Sequence, residues 1–186
     1  MASTIDSYDT INGGGTTGMT LASGASINVD AGEIAGMLAD ESLGRLTISD
    51  QVITVNSAAT ISVDTANLLE ATTTGVVTAS ITTTETVSKL NTLTGTNGAY
   101  TIVVASGDAT STTAAQLNTL NGKTTVAVNL TNVTALAGSS LSDLGTLATA
   151  INANEFSNDS GLTTIAVTDT TIAVSYTHLT LPTIRE

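Results

Sequence analysis

The chain has 186 residues, with four Lys+Arg against sixteen Asp+Glu, a formal net charge of -12 and only 11% charged residues. It holds no Cys and no Trp, 2% aromatic residues and 39 Thr. These counts exclude a disulfide framework, a thiol nucleophile and a cysteine-ligated metal. They also leave no basic footprint for nucleic acid or anionic lipid. No apolar run approaches the roughly 20 residues of a membrane span. A 41% hydrophobic content and a mean hydropathy of +0.30 are too apolar for a disordered chain.

Residues 1–23 are polar and glycine-rich, with Gly13-Gly14-Gly15 and Gly18, and read as a leader. A basic start followed by an apolar stretch is missing, so no cleavable signal peptide is expected there. From residue 24 a strand–helix pattern sets in. Ile27-Asn28-Val29 leads to Asp30 as a helix cap, with Glu33 placed to close a capping box and Ile34, Met37 and Leu38 on one face. Leu46-Thr47-Ile48 and Val52-Ile53-Thr54-Val55 follow as strands. Thr60-Ile61-Ser62-Val63 then runs into a helix capped by Asp64 that presents Ala66, Leu68 and Leu69, before Val76-Val77-Thr78-Ala79.

The pattern next repeats openly. Leu90-Asn91-Thr92-Leu93-Thr94-Gly95 is echoed 27 residues later by Leu117-Asn118-Thr119-Leu120-Asn121-Gly122. Val87, Leu90 and Leu93, and then Ala114, Leu117 and Leu120, draw one apolar stripe on each of two short helices, each stopped by a Gly. Tyr100-Thr101-Ile102-Val103-Val104 and Thr124-Thr125-Val126-Ala127-Val128 follow as β-branched strands. Leu141, Leu144, Leu147 and Ile151 continue the stripe on a longer helix. Residues 152–159 are polar and read as a loop, and Leu162-Thr163-Thr164-Ile165-Ala166-Val167 as a last strand.

The expected strands are therefore 27–29, 46–48, 52–55, 60–63, 76–79, 100–104, 124–128 and 162–167. The expected helices are 31–39, 64–70, 84–94, 112–120 and 140–151. A period of about 24–27 residues lies in the range of stacked repeats. The fold class this predicts is α/β, a parallel β-solenoid-like stack of strand–helix repeats over residues 24–173, with Leu90, Leu93, Leu117 and Leu120 buried in equivalent places. Poverty in aromatic residues points the same way, because a thin stack can be filled by Val, Ile, Leu and Ala alone.

Residues 174–186 read unlike the rest and hold the only His, His178, and the only Pro, Pro182. The stretch Val174 to Thr183 resembles, residue for residue, the translation of a transposon-end sequencing-library adapter. Set aside as non-native, it takes the imidazole with it, so no Ser-His-Asp triad, histidine base or histidine metal ligand is expected.

The repeats, with Leu-Asn-Thr-Leu-x-Gly closing a short helix before a Thr/Val strand, resemble segments of very long secreted cell-surface proteins of marine bacteria and cyanobacteria, often grouped with haemolysin-type calcium-binding proteins. The resemblance covers about residues 24–173 and implies export without an N-terminal signal. The calcium-binding nonapeptide G-G-x-G-x-D is missing: Asp9-Thr10-Ile11-Asn12-Gly13-Gly14-Gly15 only brushes against it. Calcium is thus assigned to no residue.

Other constellations are weighed on chemistry. Asp30, Asp50, Asp64, Asp108, Asp143 and Asp169 mostly sit at expected strand ends, either as calcium ligands at the corners or as caps and turn residues; the second is the simpler use. Thr72/Thr74, Thr82/Thr84 and Thr92/Thr94 recur every ten residues, a spacing that suggests an ice-binding ladder, but the 84–94 helix would break it. Lys89 and Lys123 beside Ser88 and Thr124 do not make a nucleophile pair, since helix neighbours face apart. Gly13-Gly14-Gly15 lacks the Lys-Ser/Thr of a phosphate loop. Asn129, Asn132 and Asn158 head sequons. No catalytic, cofactor or metal residue is nominated. The expectation is a non-catalytic extracellular or cell-surface spacer or coat, whose partners are neighbouring repeats and the cell envelope or extracellular matrix. The competing reading is a carbohydrate-active enzyme or an ice- or ligand-binding face on a parallel β-helix, betrayed by a deep groove of converging carboxylates.

Overall fold

A computed structural model describes residues 4–5, 18–56 and 58–169. The Gly13–Gly15 run and the adapter-like segment 174–186 lie outside the described residues. The fold is mixed α/β with parallel sheets and, among the described residues, five α-helices.

Strands β1 (Thr4–Ile5), β2 (Met19–Thr20), β3 (Ser26–Val29), β4 (Leu46–Thr47), β5 (Val52–Val55), β6 (Thr60–Ile61), β7 (Val77–Ile81), β8 (Ala99–Thr101), β9 (Val128–Asn129), β10 (Ala135–Ser139), β11 (Phe156–Ser157) and β12 (Thr164–Val167) alternate with helices. The helices are α1 (Ile34–Ser42), α2 (Val63–Thr72), α3 (Val87–Leu90), α4 (Ala114–Asn121) and α5 (Leu141–Asn152). One sheet has the order β1-β3-β5-β7-β6, with β8 also on β7; β9 pairs β11, β10 pairs β12, and β2 pairs β4.

Every described strand pair is parallel and joins residues 20 to 29 apart, from Thr60↔Ser80 to Ala135↔Thr164. A single bridge, Val103↔Asn129, links the region of β8 to β9. Parallel strands need a crossover of a dozen or more residues. Among the described residues, each such crossover from β2 onward holds a helix. The sheets begin inside the segment read as a leader: β1 pairs β3, β2 pairs β4, and Leu21 is buried.

The core forms where helix stripes meet strands. Buried positions run i, i+3, i+6 along three stretches, the second of which continues past the end of its helix: Val63, Ala66 and Leu69; Val87, Leu90 and Leu93; Ala114, Leu117 and Leu120. Ile27, Ile53, Val77 and Tyr100 face them from the sheet, all at 0% exposure. The expected burial of Leu90, Leu93, Leu117 and Leu120 is observed. Leu68 is exposed, not part of the α2 stripe, and Leu141 is half exposed.

Several boundaries differ from expectation for physical reasons. The helix expected over 84–94 shrinks to α3, because Thr86 is the N-cap and Asn67 Oδ1 captures the Thr94 N–H at 2.9 Å. The strand expected over 124–128 survives only as β9: Thr124 Oγ1 accepts the N–H of Val126 (3.1 Å), a local bond that competes with the ladder. Residues 152–159, expected as a loop, contain β11, since Phe156 is buried at 5%. The 60–63 strand ends at Ile61, where Ser62 takes over as the cap of α2.

Candidate functional site

The most regular chemistry lies between successive strand–helix segments. The first N–H of each of four helices donates to a side chain roughly one period further on. Val63 reaches Glu85 Oε1 (3.1 Å), Val87 reaches Asp108 Oδ2 (2.8 Å), Ala114 reaches Ser139 Oγ (2.9 Å) and Leu141 reaches Asp169 Oδ2 (2.6 Å). A helix N-terminus carries unsatisfied N–H groups and a partial positive charge, so an anionic or hydroxyl acceptor is favoured there. The helices keep their own caps as well: Ser62, Thr86, Thr113 and Ser140 each accept the N–H three residues on.

A second ladder runs along the helix sides. Asn67, Asn91 and Asn118 donate their amides to the carbonyls of Thr92 (3.0 Å), Gln116 (3.2 Å) and Asp143 (3.0 Å), each 25 residues ahead. A third is buried. Thr73 Oγ1 donates to Gln51 O (2.6 Å) and accepts from Gly75 N–H (2.9 Å). Thr124 Oγ1 donates to Tyr100 O (2.8 Å) and accepts from the N–H groups of Tyr100 (2.9 Å) and Val126 (3.1 Å). Buried polar groups must be paired, and these hydroxyls pair with the preceding segment.

The carboxylates expected at strand ends divide accordingly. Asp108 and Asp169 cap, but cap the helix of the preceding segment rather than their own. Asp64 does not cap: Ser62 does, and Asp64 instead pairs with Lys89 Nζ at 2.5 Å, a contact that raises the Lys89 pKa. Lys89 is thus a partly exposed charge that also links two segments. Asp30 accepts the Asn56 amide (2.9 Å) and caps nothing, while Glu33 Oε2 accepts the Asp30 N–H (3.3 Å). Asp143 accepts from the Ser140 hydroxyl (2.6 Å). The Ser23 hydroxyl donates to Asp50, which holds that carboxyl below its usual range.

The Thr-x-Thr pairs fall in unlike surroundings: Thr72 and Thr92 bond back to the carbonyls of Leu69 and Lys89, Thr74 bonds Ser49 O, Thr94 bonds Asn67, and the Thr82 and Thr84 hydroxyls meet each other at 3.3 Å. Of the sequon asparagines, Asn132 is tied to Val104 O (2.8 Å), Asn129 Oδ1 accepts the Thr131 N–H (2.9 Å), and Asn158 adopts a left-handed backbone at φ 54°.

Two buried polar pairs were not foreseen. Asp40, at 0% exposure, meets Arg45 at 2.5 Å. The Tyr100 hydroxyl donates to Glu70 Oε1 at 2.6 Å; burial first, then this carboxylate, pushes the phenol far above its ordinary range. Two surface depressions lie around Asn121 and Glu155 between the ends of α4 and α5, with Thr124, Thr125 and Thr149 on their rims. Asn121 donates to Glu155 Oε2 (2.5 Å), and Glu155 is the sole carboxylate lining either depression. A glycosidase needs two carboxyls about 5–10 Å apart across its substrate; this groove offers one. Among the described residues no three acidic or imidazole groups converge as metal ligands, and no helix is long and apolar enough to cross a membrane.

Part of this was readable: Asn91 and Asn118 stand in the Leu-Asn-Thr-Leu echo itself. The roles of Thr73, Thr124 and Ser139 had no sequence signal, because a buried Thr looks like any of the other 38. Compared with protein families, curated proteins and solved structures, the chain matches none.

Proposed function

We propose that the chain is a non-catalytic structural segment, a solenoid-like stack of strand–helix units serving as spacer or coat in a large secreted or cell-surface protein. One observation carries the reading: polar groups that could otherwise face a substrate are spent on bonds to the neighbouring unit. Helix N-termini, helix-side asparagines and buried threonines all do this at a near-constant offset. Parallel pairing at 20 to 29 residues supports the stack, and repeat arrays gain stability from nearest-neighbour contacts. The neighbours of each unit are then its first partners, with the cell envelope or matrix as the surface it extends from. The likeness to long secreted repeat proteins agrees with this setting.

Deletion of residues 91–117 tests it. The cut joins Leu90 to Asn118, keeps the helical register of the echo, and hands the Val87 N–H from Asp108 to Ser139. A spacer survives a change in unit number, so the shortened chain is expected to keep its circular dichroism and melt cooperatively at a lower temperature. Loss of cooperative folding would overturn the reading. Chelator is expected to leave the intact chain's spectrum unchanged, because backbone N–H groups, not an ion, hold Asp108 and Asp169. A chain that folds only with millimolar calcium would contradict that.

A further inference from the structure

The described residues contain two Asn-Gly pairs, Asn97-Gly98 and Asn121-Gly122. Such pairs undergo a self-reaction when the glycine nitrogen can reach the side-chain amide, because glycine puts no side chain in the way. The two pairs sit in opposite circumstances. Asn121 ends α4, its amide held by Glu155 Oε2 at 2.5 Å, and the Gly122 N–H is engaged by Thr119 O at 3.2 Å. Asn97 is exposed, lies outside any helix or strand, and has one long contact, to Thr74 O at 3.4 Å. No hydrogen bond of the Gly98 N–H is found among the described residues.

Glycine is also enforced at 98. A Cβ there would collide with the ring of Tyr100 and crowd the Glu70 carboxylate, so packing of the buried Tyr100 fixes a reactive dipeptide in the loop.

We propose that Asn97 is a site of spontaneous deamidation and isoaspartate formation, and that Asn121 is protected by the fold. Gly98 itself is buried, so a local opening of this loop, which carries no helical hydrogen bond, brings its N–H to solvent base; the base takes the proton and the nitrogen attacks Asn97 Cγ. The N–Cγ bond forms, the Cγ–Nδ2 bond breaks, and the amide leaves as ammonia with one proton from solvent. Water then opens the five-membered imide at either carbonyl, giving aspartate or, with the backbone routed through Cβ, isoaspartate. No oxidant or cofactor is consumed. The product places a new carboxylate against Thr74 O, and in the isoaspartate form lengthens the main chain beside Gly98, whose carbonyl accepts the Thr125 N–H at 3.0 Å. Ageing at this one residue therefore loosens a contact between successive units.

Tryptic cleavage at Lys89 and Lys123 puts both pairs in one peptide, residues 90–123. The full chain is incubated at mildly alkaline pH, once folded and once in denaturant, and fragment ions locate the amide-to-acid mass gain. In the folded chain Asn97 is expected to convert about tenfold faster than Asn121 or more, because helical amides react only after local opening. In denaturant the two rates should converge. Equal rates in the folded chain, or a faster Asn121, would overturn the proposal; so would an Asn97 that stays intact while folded and reacts only in denaturant. The Asn97→Gln variant, which leaves Gly98 and its packing in place, is expected to abolish the isoaspartate signal at this position.

Discussion

Segments α3 and α4 carry nearly the same sentence, Leu-Asn-Thr-Leu, and fold it differently. The eight residues of α4 include the whole of it, behind a full capping box: Thr113 accepts the Gln116 N–H (3.2 Å) and Gln116 Oε1 accepts the Thr113 N–H (2.9 Å). α3 is four residues long and holds only the first Leu of the stretch; Lys89 stands where Gln116 does and has no acceptor to return. Beyond Leu90 the chain is drawn off by Asn67, which takes the Thr94 N–H and hydroxyl (2.9 and 3.2 Å). Gly95 and Gly98 then close on Glu70 and Tyr100, where α4 is followed instead by the Thr124 hydroxyl bonds. Yet Leu93, outside any helix, is buried at 1% and Leu120, inside one, at 0%. Burial position is kept while helix length is given up. Packing, not local helix propensity, sets this architecture, in line with the marginal stability of short helices on their own.

The sharpest way to break that comparison is to empty the two equivalent sites. Leu93→Ala and Leu120→Ala are each expected to cost about 2–5 kcal/mol in denaturant unfolding, the range for a buried leucine. If helix propensity governed instead, Leu93→Ala would cost little. The next contrast is between the two ways of closing a turn. Thr124→Val leaves the N–H groups of Tyr100 and Val126 and the Tyr100 carbonyl without their hydroxyl. It is expected to destabilise by about 1–3 kcal/mol, the penalty of unsatisfied buried polar groups, against near-neutrality for an exposed Thr.

The α3 side has its own signature in alkali. The Tyr100 pKa is raised in the fold, so the folded chain holds a proton that the unfolded chain releases from about pH 10 upward. Its contribution is fully present below pH 10 and lost above it, with a limiting slope of about 1.4 kcal/mol per pH unit. Tyr100→Phe is expected to remove that slope in pH-dependent unfolding; persistence of the slope would assign it elsewhere. The smallest contrast is at the caps. Thr113→Ala is expected to cost about 1 kcal/mol, and Thr86→Ala less, because only the first dismantles a reciprocal box. Equal costs would remove capping from the explanation of the length difference.

These contrasts also mark how far the sequence could be read. The apolar spacing of three was decisive for Val87, Leu90 and Leu93 and for their α4 counterparts, because burial at i, i+3, i+6 is a local pattern. What stopped α3 was Asn67, a residue of the preceding segment, and nothing local announced it. The same holds for the acids. Asp108 and Asp169 were legible as cap residues from their type, but the helix each one caps lies 21 and 28 residues earlier, a choice made by tertiary packing. β10 and β11 were missed for a related reason: Ala135–Ser139 has a single large apolar residue, Leu136, and Phe156 sits among polar neighbours, so pairing rather than propensity makes them strands. The groove at Asn121 and Glu155 had no signal either, since its two sides come from residues 34 apart.

The proposed linear stack of equivalent units predicts a simple series of distances between spin labels. The chain has no native cysteine to interfere. Leu68, Thr92, Thr119 and Thr146 occupy the same place, five residues beyond the first residue of α2, α3, α4 and α5, and all four are exposed. Labels on cysteines introduced in pairs at these sites are expected to separate in even steps of about 8–10 Å per unit, the spacing of packed helices. The 68–146 pair should then lie near three steps and the 68–119 pair near two. A 68–146 distance shorter than the 68–119 distance would mean that the chain folds back on itself, and the stack would be contradicted.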